Sequence, residues 1–189
     1  MRISVIASTY NAEEWLEKVL LGYRNQSWRG FELIVADDGS RDSTRALVER
    51  FAADYPVPLR HVWHADDGYR RQEILNVAIL EARHDYLLFT DGDCIPRHDF
   101  VRVHAEQAEP GRFLSGGYCK LGMQASQAIS AQDIRSGRCF DPAWLREQGR
   151  LGLSNTLKLG AGPRSGPLLD AITTTRPCLL YTSDAADEG

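Results

Sequence analysis

Along roughly the first 120 residues, apolar and polar positions fall into two alternating kinds of block. Ile3 to Ala7, Phe31 to Ala36, Leu59 to Trp63 and Tyr86 to Thr90 are short apolar runs of strand length and predict buried strands. Between them the apolar spacing changes to that of a helix. Ala12, Trp15, Leu16, Val19, Leu20 and Tyr23 recur at i, i+3, i+4, i+7, i+8 and i+11, which makes one helical face. Asn11 with Glu14 three residues on predicts a capping box at its start. A second helix is expected from about Asp42, with Leu47, Val48, Phe51 and Ala52 inward and Pro56 and Pro58 closing it. Arg70 to Ala82 reads as a third helix burying Ile74, Leu75, Ala78 and Ala82. Further on, Asp99 is expected to cap a short helix from Phe100 to Gln107, and Phe113 to Tyr118 reads as another strand.

Strand–helix alternation at this spacing predicts a mainly parallel sheet with helices on both faces. Such sheets bind ligands at the carboxyl ends of their strands. Polar clusters sit at those ends: Ser8-Thr9-Tyr10-Asn11, Asp37-Asp38-Gly39-Ser40, His64-Ala65-Asp66-Asp67-Gly68-Tyr69 and Asp91-Gly92-Asp93. Side chains two apart on an extended backbone point the same way, so Asp91 and Asp93 can converge on one point. Gly92 between them would let a ligand approach the backbone closely. Two hard carboxylate donors suit Mg²⁺ or Mn²⁺ that is also bound to phosphate.

Composition narrows the classes without naming one. A chain of 189 residues is expected to be a single domain. Its 22 basic and 26 acidic residues, net charge −4, argue against a surface that coats nucleic acid. No apolar run reaches the length of a bilayer span, and the run after Met1-Arg2 is too short for a signal peptide. The four cysteines show no C-x-x-C pairing, so a cytoplasmic location is the expectation. Contact with the inner face of a membrane would follow only from a lipid-linked substrate. The five histidines share no metal-ligand spacing and read as surface or rim groups, with His98 the one that could add a ligand. Cys94 is expected to pack rather than react, and Trp15 and Trp63 to be core.

Ser4-Val5-Ile6-Ala7-Ser8-Thr9-Tyr10-Asn11, Val35-Ala36-Asp37-Asp38-Gly39-Ser40 and Leu88-Phe89-Thr90-Asp91-Gly92-Asp93, in this order and register, resemble the successive motifs of family 2 glycosyltransferases. The resemblance implies the GT-A fold and an inverting, metal-dependent enzyme that takes a nucleotide-sugar donor, a UDP-sugar, and a glycan or lipid-linked glycan acceptor. It implies that Ser8, Thr9 and Tyr10 line the nucleotide cleft and that Asp38 accepts from the uracil imide. It further implies that Arg70 and Arg71 reach the diphosphate. Asp93 would ligate Mn²⁺ or Mg²⁺, with Asp91 on the metal or the ribose, and Asp37 would support its loop. Asp66-Asp67-Gly68-Tyr69-Arg70-Arg71 and Ser115-Gly116-Gly117-Tyr118 are similar in detail to bacterial enzymes of lipopolysaccharide-core or capsular-polysaccharide assembly.

The resemblance divides the chain into a donor-binding part, 1–120, the start of an acceptor-side region, 121–177, and a tail, 178–189, that fits nothing before it. Inversion needs a general base, normally Asp or Glu, and no segment matches the family's motif for it. A helix is expected to end near Ser136, another to start at Asp141-Pro142, and Gly- and Arg-rich loops to follow around 159–167. The tail reads as foreign sequence, which makes a nucleotide-sugar-binding fragment without turnover the second reading. Phosphatases of the haloacid dehalogenase type also carry Asp-x-Asp after an apolar strand. There it follows the first strand and needs a later Lys and paired acids; here it follows three strand–helix units and those partners are not evident.

Overall fold

Four parallel strands form the central sheet of the computed structural model, which describes residues 1–114, 116–149 and 176–181. They are β1 (Ile3–Thr9), β2 (Phe31–Asp37), β3 (Leu59–Trp63) and β4 (Tyr86–Asp91), in the order β3-β2-β1-β4. Thr9 pairs with Asp37, Asp37 with Trp63, and Ser8 with Asp91, so all four carboxyl ends lie on one rim. The two central strands are buried along their whole length, as their near-continuous apolar runs demand.

Alternation divides the apolar side chains between two faces. Ile3, Val5, Ala7, Leu33 and Val35 pack with Leu16, Val19, Leu20 and Tyr23 of α1 (Glu13–Arg24) and Leu47, Val48 and Phe51 of α2 (Asp42–Ala52). Ile6, Ile34 and Ala36 pack on Ile74 and Ala78 of α3 (Arg71–Glu81) on the other face. Each fully buried aliphatic side chain of this kind contributes about 1.5–3 kcal/mol. The layered α/β architecture is therefore the expected one.

β4 turns directly into a short strand missing from the sequence reading, β5 (Cys94–Pro96). With β6 (Gly116–Lys120) and β7 (Arg176–Tyr181) it forms a second sheet in the order β5-β7-β6. β7 runs antiparallel to β5 and parallel to β6, so part of the segment set aside as a foreign tail carries ladder pairs. The loops expected around 159–167 and the end of the tail, 182–189, lie outside the described residues.

Several local expectations need correction. Asn11 does not cap α1: it sits at φ 44°, its amide donates to Ser40 Oγ, and its side-chain oxygen accepts from Arg41 N–H. A distant turn outbids the local cap, and Ala12 occupies the cap position without a side-chain bond. Asp99 precedes the helix α4 (Phe100–Gln107) but spends its carboxylate on Arg97. The helix expected to end near Ser136 is two, α5 (Met123–Ala128) and α6 (Ala131–Ser136), because Ser130 and Asp133 form a capping box between them. Asp141 does cap α7 (Pro142–Gln148), accepting from Ala143 N–H at 2.8 Å. Ala52 is exposed, and so is Trp63, whose strand lies at the sheet edge. Its indole N–H donates to Ser40 O at 3.0 Å and Arg45 lies over its ring. Among the described residues, no helix is long and apolar enough to cross a membrane.

Candidate functional site

The shared rim opens into a cleft of about 920 Å³. Ser8, Thr9 and Tyr10 from the end of β1, Asp38 after β2, Arg71 from the first turn of α3, and Asp91 and Asp93 around the β4–β5 turn all line it. Seven of the eight residues expected to bind nucleotide or metal thus meet in one place. Arg70 is the exception. Its guanidinium turns to Glu73 and Asp67, and its main-chain N–H instead donates to Asp38 Oδ2 at 3.1 Å.

The acidic end of the cleft is built on the β1–β4 ladder. Asp91, the last residue of β4, receives the Arg71 guanidinium and the Ser8 hydroxyl, the latter at 3.3 Å. Arg71 Nε also donates to Ser8 Oγ at 3.0 Å, so one arginine ties two strand ends to α3. One ligand atom each of Asp91, Asp93 and Cys94 lie within 4.8 Å of one another. Burial, with the charges of Asp93 and Asp91, pushes the Cys94 thiol well above its usual range, and it donates to Asp93 Oδ1. Cys94 is therefore a neutral packing group, and the hard-donor set is the two carboxylates. His98 is exposed and lies outside this group.

Gly92 has a reason within the chain beside the one expected of it. A Cβ there would stand 2.7 Å from Ser8 O, 3.1 Å from Thr9 Cβ and 3.2 Å from Thr9 Oγ1. The space belongs to the chain's own β1 end, which Gly92 N–H also binds, at 2.7 Å through Ser8 O. Beside it Thr9 Oγ1 is buried without a hydrogen-bond partner. A buried orphan hydroxyl at a cleft wall is what a site built for a polar ligand contains.

At the other end, two successive aspartates are each held by a histidine from β3 or the loop after it. Asp37, fully buried, accepts from Ser40 N–H at 2.8 Å and pairs with His61 Nε2 at 2.8 Å, which fixes the turn. Asp38 pairs with His64 Nε2 at 2.8 Å. Gly39, at φ +94°, lies against the Asp66 backbone, where a Cβ would stand 2.6 Å from Asp66 Cα. The two histidines were expected only as rim groups. Their separations of 24 and 26 residues from their partners carry no local pattern, and only the β2–β3 register brings them in.

Trp15, expected in the core, is half-buried and lines the cleft beside Glu13 and Glu14, with Lys18 4.7 Å from its ring centroid. Hydrogen bonds from Ser43 and Thr44 hold the Glu13 carboxyl below its usual range. Gly68 and Tyr69 complete the rim near Asp38, and Tyr10 reaches Asp66 at 3.1 Å. Trp15 and Glu13 carry no sequence signal beyond their helix position, and Glu14 was read only as half of a capping box.

The structure resembles that of Staphylococcus aureus TarS residues 1–349, with a TM-score of 0.50 and 28% identity over 56% of this chain and 32% of that one. A mannosyltransferase from Pyrobaculum calidifontis, in complex with GDP-Man and Mn²⁺, matches with a TM-score of 0.52 and 23% identity over 70% and 38%, and speaks to the fold alone. The parallel sheet flanked by helices, with its acidic carboxyl-end cleft, is the GT-A fold of nucleotide-sugar transferases. The model of glycosyl transferase family 2 matches residues 4–118, and the chain belongs to that family. Relatives include the uncharacterized glycosyltransferase YfnE of Bacillus subtilis, 37% identical over 111 residues, 58% of this chain and 27% of YfnE. Another is the poly(ribitol-phosphate) beta-N-acetylglucosaminyltransferase TarS of S. aureus, 30% identical over 95 residues, 49% of this chain and 16% of TarS. The chain thus spans under a third of the length of these relatives.

Proposed function

We propose that this chain forms the donor side of a glycosyltransferase that takes a UDP-sugar and transfers the sugar, with inversion, to a glycan-type polymer. The observation that carries the reading is the convergence of Asp38, Arg71, Asp91 and Asp93 on one cleft in a family 2 domain. Asp38 would accept from the uracil imide N–H, a charge-assisted bond that selects a base with a donor there. Ser8, Thr9 and Tyr10 would form the wall beside the nucleoside. Arg71 already bonds an anion in the cleft and would offer the same guanidinium to a diphosphate.

Asp91 and Asp93 fit a divalent cation on three grounds: their oxygens converge, they are hard donors, and the adjacent Thr9 hydroxyl has no other partner. Mn²⁺ or Mg²⁺ held there supplies positive charge against the leaving diphosphate. The Arg71 guanidinium lies on Asp91 and offsets part of the negative charge the two carboxylates bring together. The polymer acceptor has coarse support from TarS, a poly(ribitol-phosphate) beta-N-acetylglucosaminyltransferase. Among the described residues, the carboxylates of the cleft are Glu13, Glu14, Asp38, Asp91 and Asp93, and we assign none of them as the general base.

The test is calorimetric titration of the full chain with UDP, with and without Mn²⁺. The expected result is an affinity at least about tenfold higher with Mn²⁺, with the gain abolished in Asp93→Ala. No UDP binding in either condition would sink the reading. Sugar release from UDP-sugars is a separate measurement. Binding without any transfer would retain the donor site and remove the transferase activity from this chain.

A further inference from the structure

We propose that His64 is a positioning residue for nucleotide choice: it holds the Asp38 carboxylate in the orientation that prefers uracil to cytosine. The proposal rests on the reading of Asp38 as the base acceptor and adds a residue that the reading does not use.

A carboxylate on a short side chain turns easily, because its terminal torsion has a broad, roughly two-fold profile. Asp38 does not have that freedom. His64 Nε2 stands 2.8 Å from Oδ1, and the Arg70 N–H donates to Oδ2 at 3.1 Å. One donor on each oxygen fixes the plane of the group. An ionised carboxylate offers about four acceptor directions, so acceptor capacity is left over in a residue that lines the cleft. Of the two donors, the Arg70 amide belongs to the main chain at the start of α3, and only His64 is a side chain.

The histidine is itself held. It directly follows β3, which pairs with β2 in register up to Asp37 and Trp63. The Gly39 turn lies against the backbone of Asp66, two residues beyond His64. The Asp38 side chain is 7% exposed and that of His64 22%, so the pair is shielded from water, where such a bond carries more weight than on the surface.

The chemistry of the base turns this orientation into selectivity. Uracil presents an N–H at N3, which the carboxylate accepts. Cytosine presents a lone pair there, and a carboxylate that cannot turn away meets it acceptor to acceptor. Discrimination of this type depends on leaving a buried polar group unpaired for the wrong ligand. Without the His64 donor, the carboxylate can rotate, the bond to uracil weakens and the penalty against cytosine shrinks.

The experiment measures UDP and CDP affinities, with Mn²⁺, for the full chain and for His64→Ala, His64→Phe, His64→Gln and Asp38→Asn. The expected result is a roughly 5- to 20-fold loss of UDP affinity in His64→Ala, with CDP less affected, so that the UDP:CDP ratio falls. His64→Phe keeps the bulk of the ring without a donor and should lose the ratio similarly. His64→Gln retains an N–H donor and should recover most of it. A fold defect alone would weaken both nucleotides together and leave the ratio unchanged, which would overturn the proposal, as would a ratio kept in His64→Phe should His64→Ala fail to fold. If Asp38→Asn leaves UDP binding and the ratio intact, the nucleotide reading itself fails. If Asp38→Asn collapses the ratio and the His64 variants do not, only the role of His64 fails.

Discussion

Replacing Gly92 by alanine tests whether the chain or the ligand requires a glycine between the two cleft aspartates. The new Cβ would stand 2.7 Å from Ser8 O, with Thr9 Cβ and Oγ1 at 3.1 and 3.2 Å. The nearest atom is a main-chain carbonyl that already binds Gly92 N–H, and Ser8 is locked in register with Asp91. Relief therefore requires the ends of β1 and β4 to spread, since no flexible side chain can swing aside. Overpacking of this kind costs about 1–3 kcal/mol. At roughly 2–4 °C per kcal/mol for a chain of this size, the ligand-free protein should melt about 2–12 °C lower. The same displacement moves Asp91 relative to Asp93, so Mn²⁺-dependent UDP affinity should fall with it. Thermal denaturation without ligand and calorimetry with UDP and Mn²⁺ read the two effects separately. A melting temperature within a degree of the parent would refute the packing argument. Weaker binding at unchanged stability would then return Gly92 to the role first expected of it, room for a ligand.

Three further outcomes follow from buried polar groups. His104 is 7% exposed, shares a 2.9 Å hydrogen bond between its Nδ1 and the Tyr86 hydroxyl, and is held by burial at about 4 against an ordinary 6.5. The unfolded chain therefore takes up this proton first: the contribution is complete above pH 6.5 and is lost as pH falls toward 4. Urea unfolding should show a loss on the order of 2 kcal/mol from this group between pH 7.5 and 5, absent in His104→Gln; equal pH dependence in both proteins would count against it. Glu32, 1% exposed, accepts from Ser4 Oγ and Arg83 N–H, both at 2.7 Å, and from Arg60 at 3.1 Å. Glu32→Ala leaves Ser4 Oγ and Arg83 N–H without their acceptor, while Arg60 keeps Glu81, and should cost about 2–5 kcal/mol in chemical denaturation; a cost below about 1 kcal/mol would contradict the network. Ser130→Ala removes the capping box of α6 and should cost about 1 kcal/mol by the same assay, with no effect on UDP binding.

The strands and helices of the first 107 residues, β5 apart, were legible because their signals are local: a β-branched run, a 3.6-residue period, a turn cluster. Phe31 to Asp37 runs one residue past the expected end, and α2 starts at the expected Asp42. The errors occur where a local signal had a distant competitor. Asn11 with Glu14 matches a capping box, yet Ser40 and Arg41, some 30 residues away, take the asparagine for the β2 turn. Ser130 with Asp133 carries the same signal, has no such competitor, and does cap. Trp63 was expected in the core on its size, but β3 is an edge strand and the ring lies outside it. The edge position of β3 follows from strand order, which no single segment encodes.

The site divides along the same line. Asp38, Asp91 and Asp93 announce themselves by motif and by position at strand ends, so a reading of residue types can place them on one rim. What holds them cannot be read that way. Asp37 needs His61, Asp38 needs His64 and the Arg70 amide, and Asp91 needs Arg71 and Ser8. The partners lie elsewhere in the chain: His61 in β3, His64 just after it, Arg70 and Arg71 at the start of α3, and Ser8 in β1. Arg70 shows the consequence most plainly: its charge suggested a diphosphate contact, while the fold turns the guanidinium to Glu73 and uses its backbone on Asp38. The carboxylates that line the cleft are written in short motifs. The geometry that holds them is written in the pairing of β1, β2, β3 and β4 and in the start of α3.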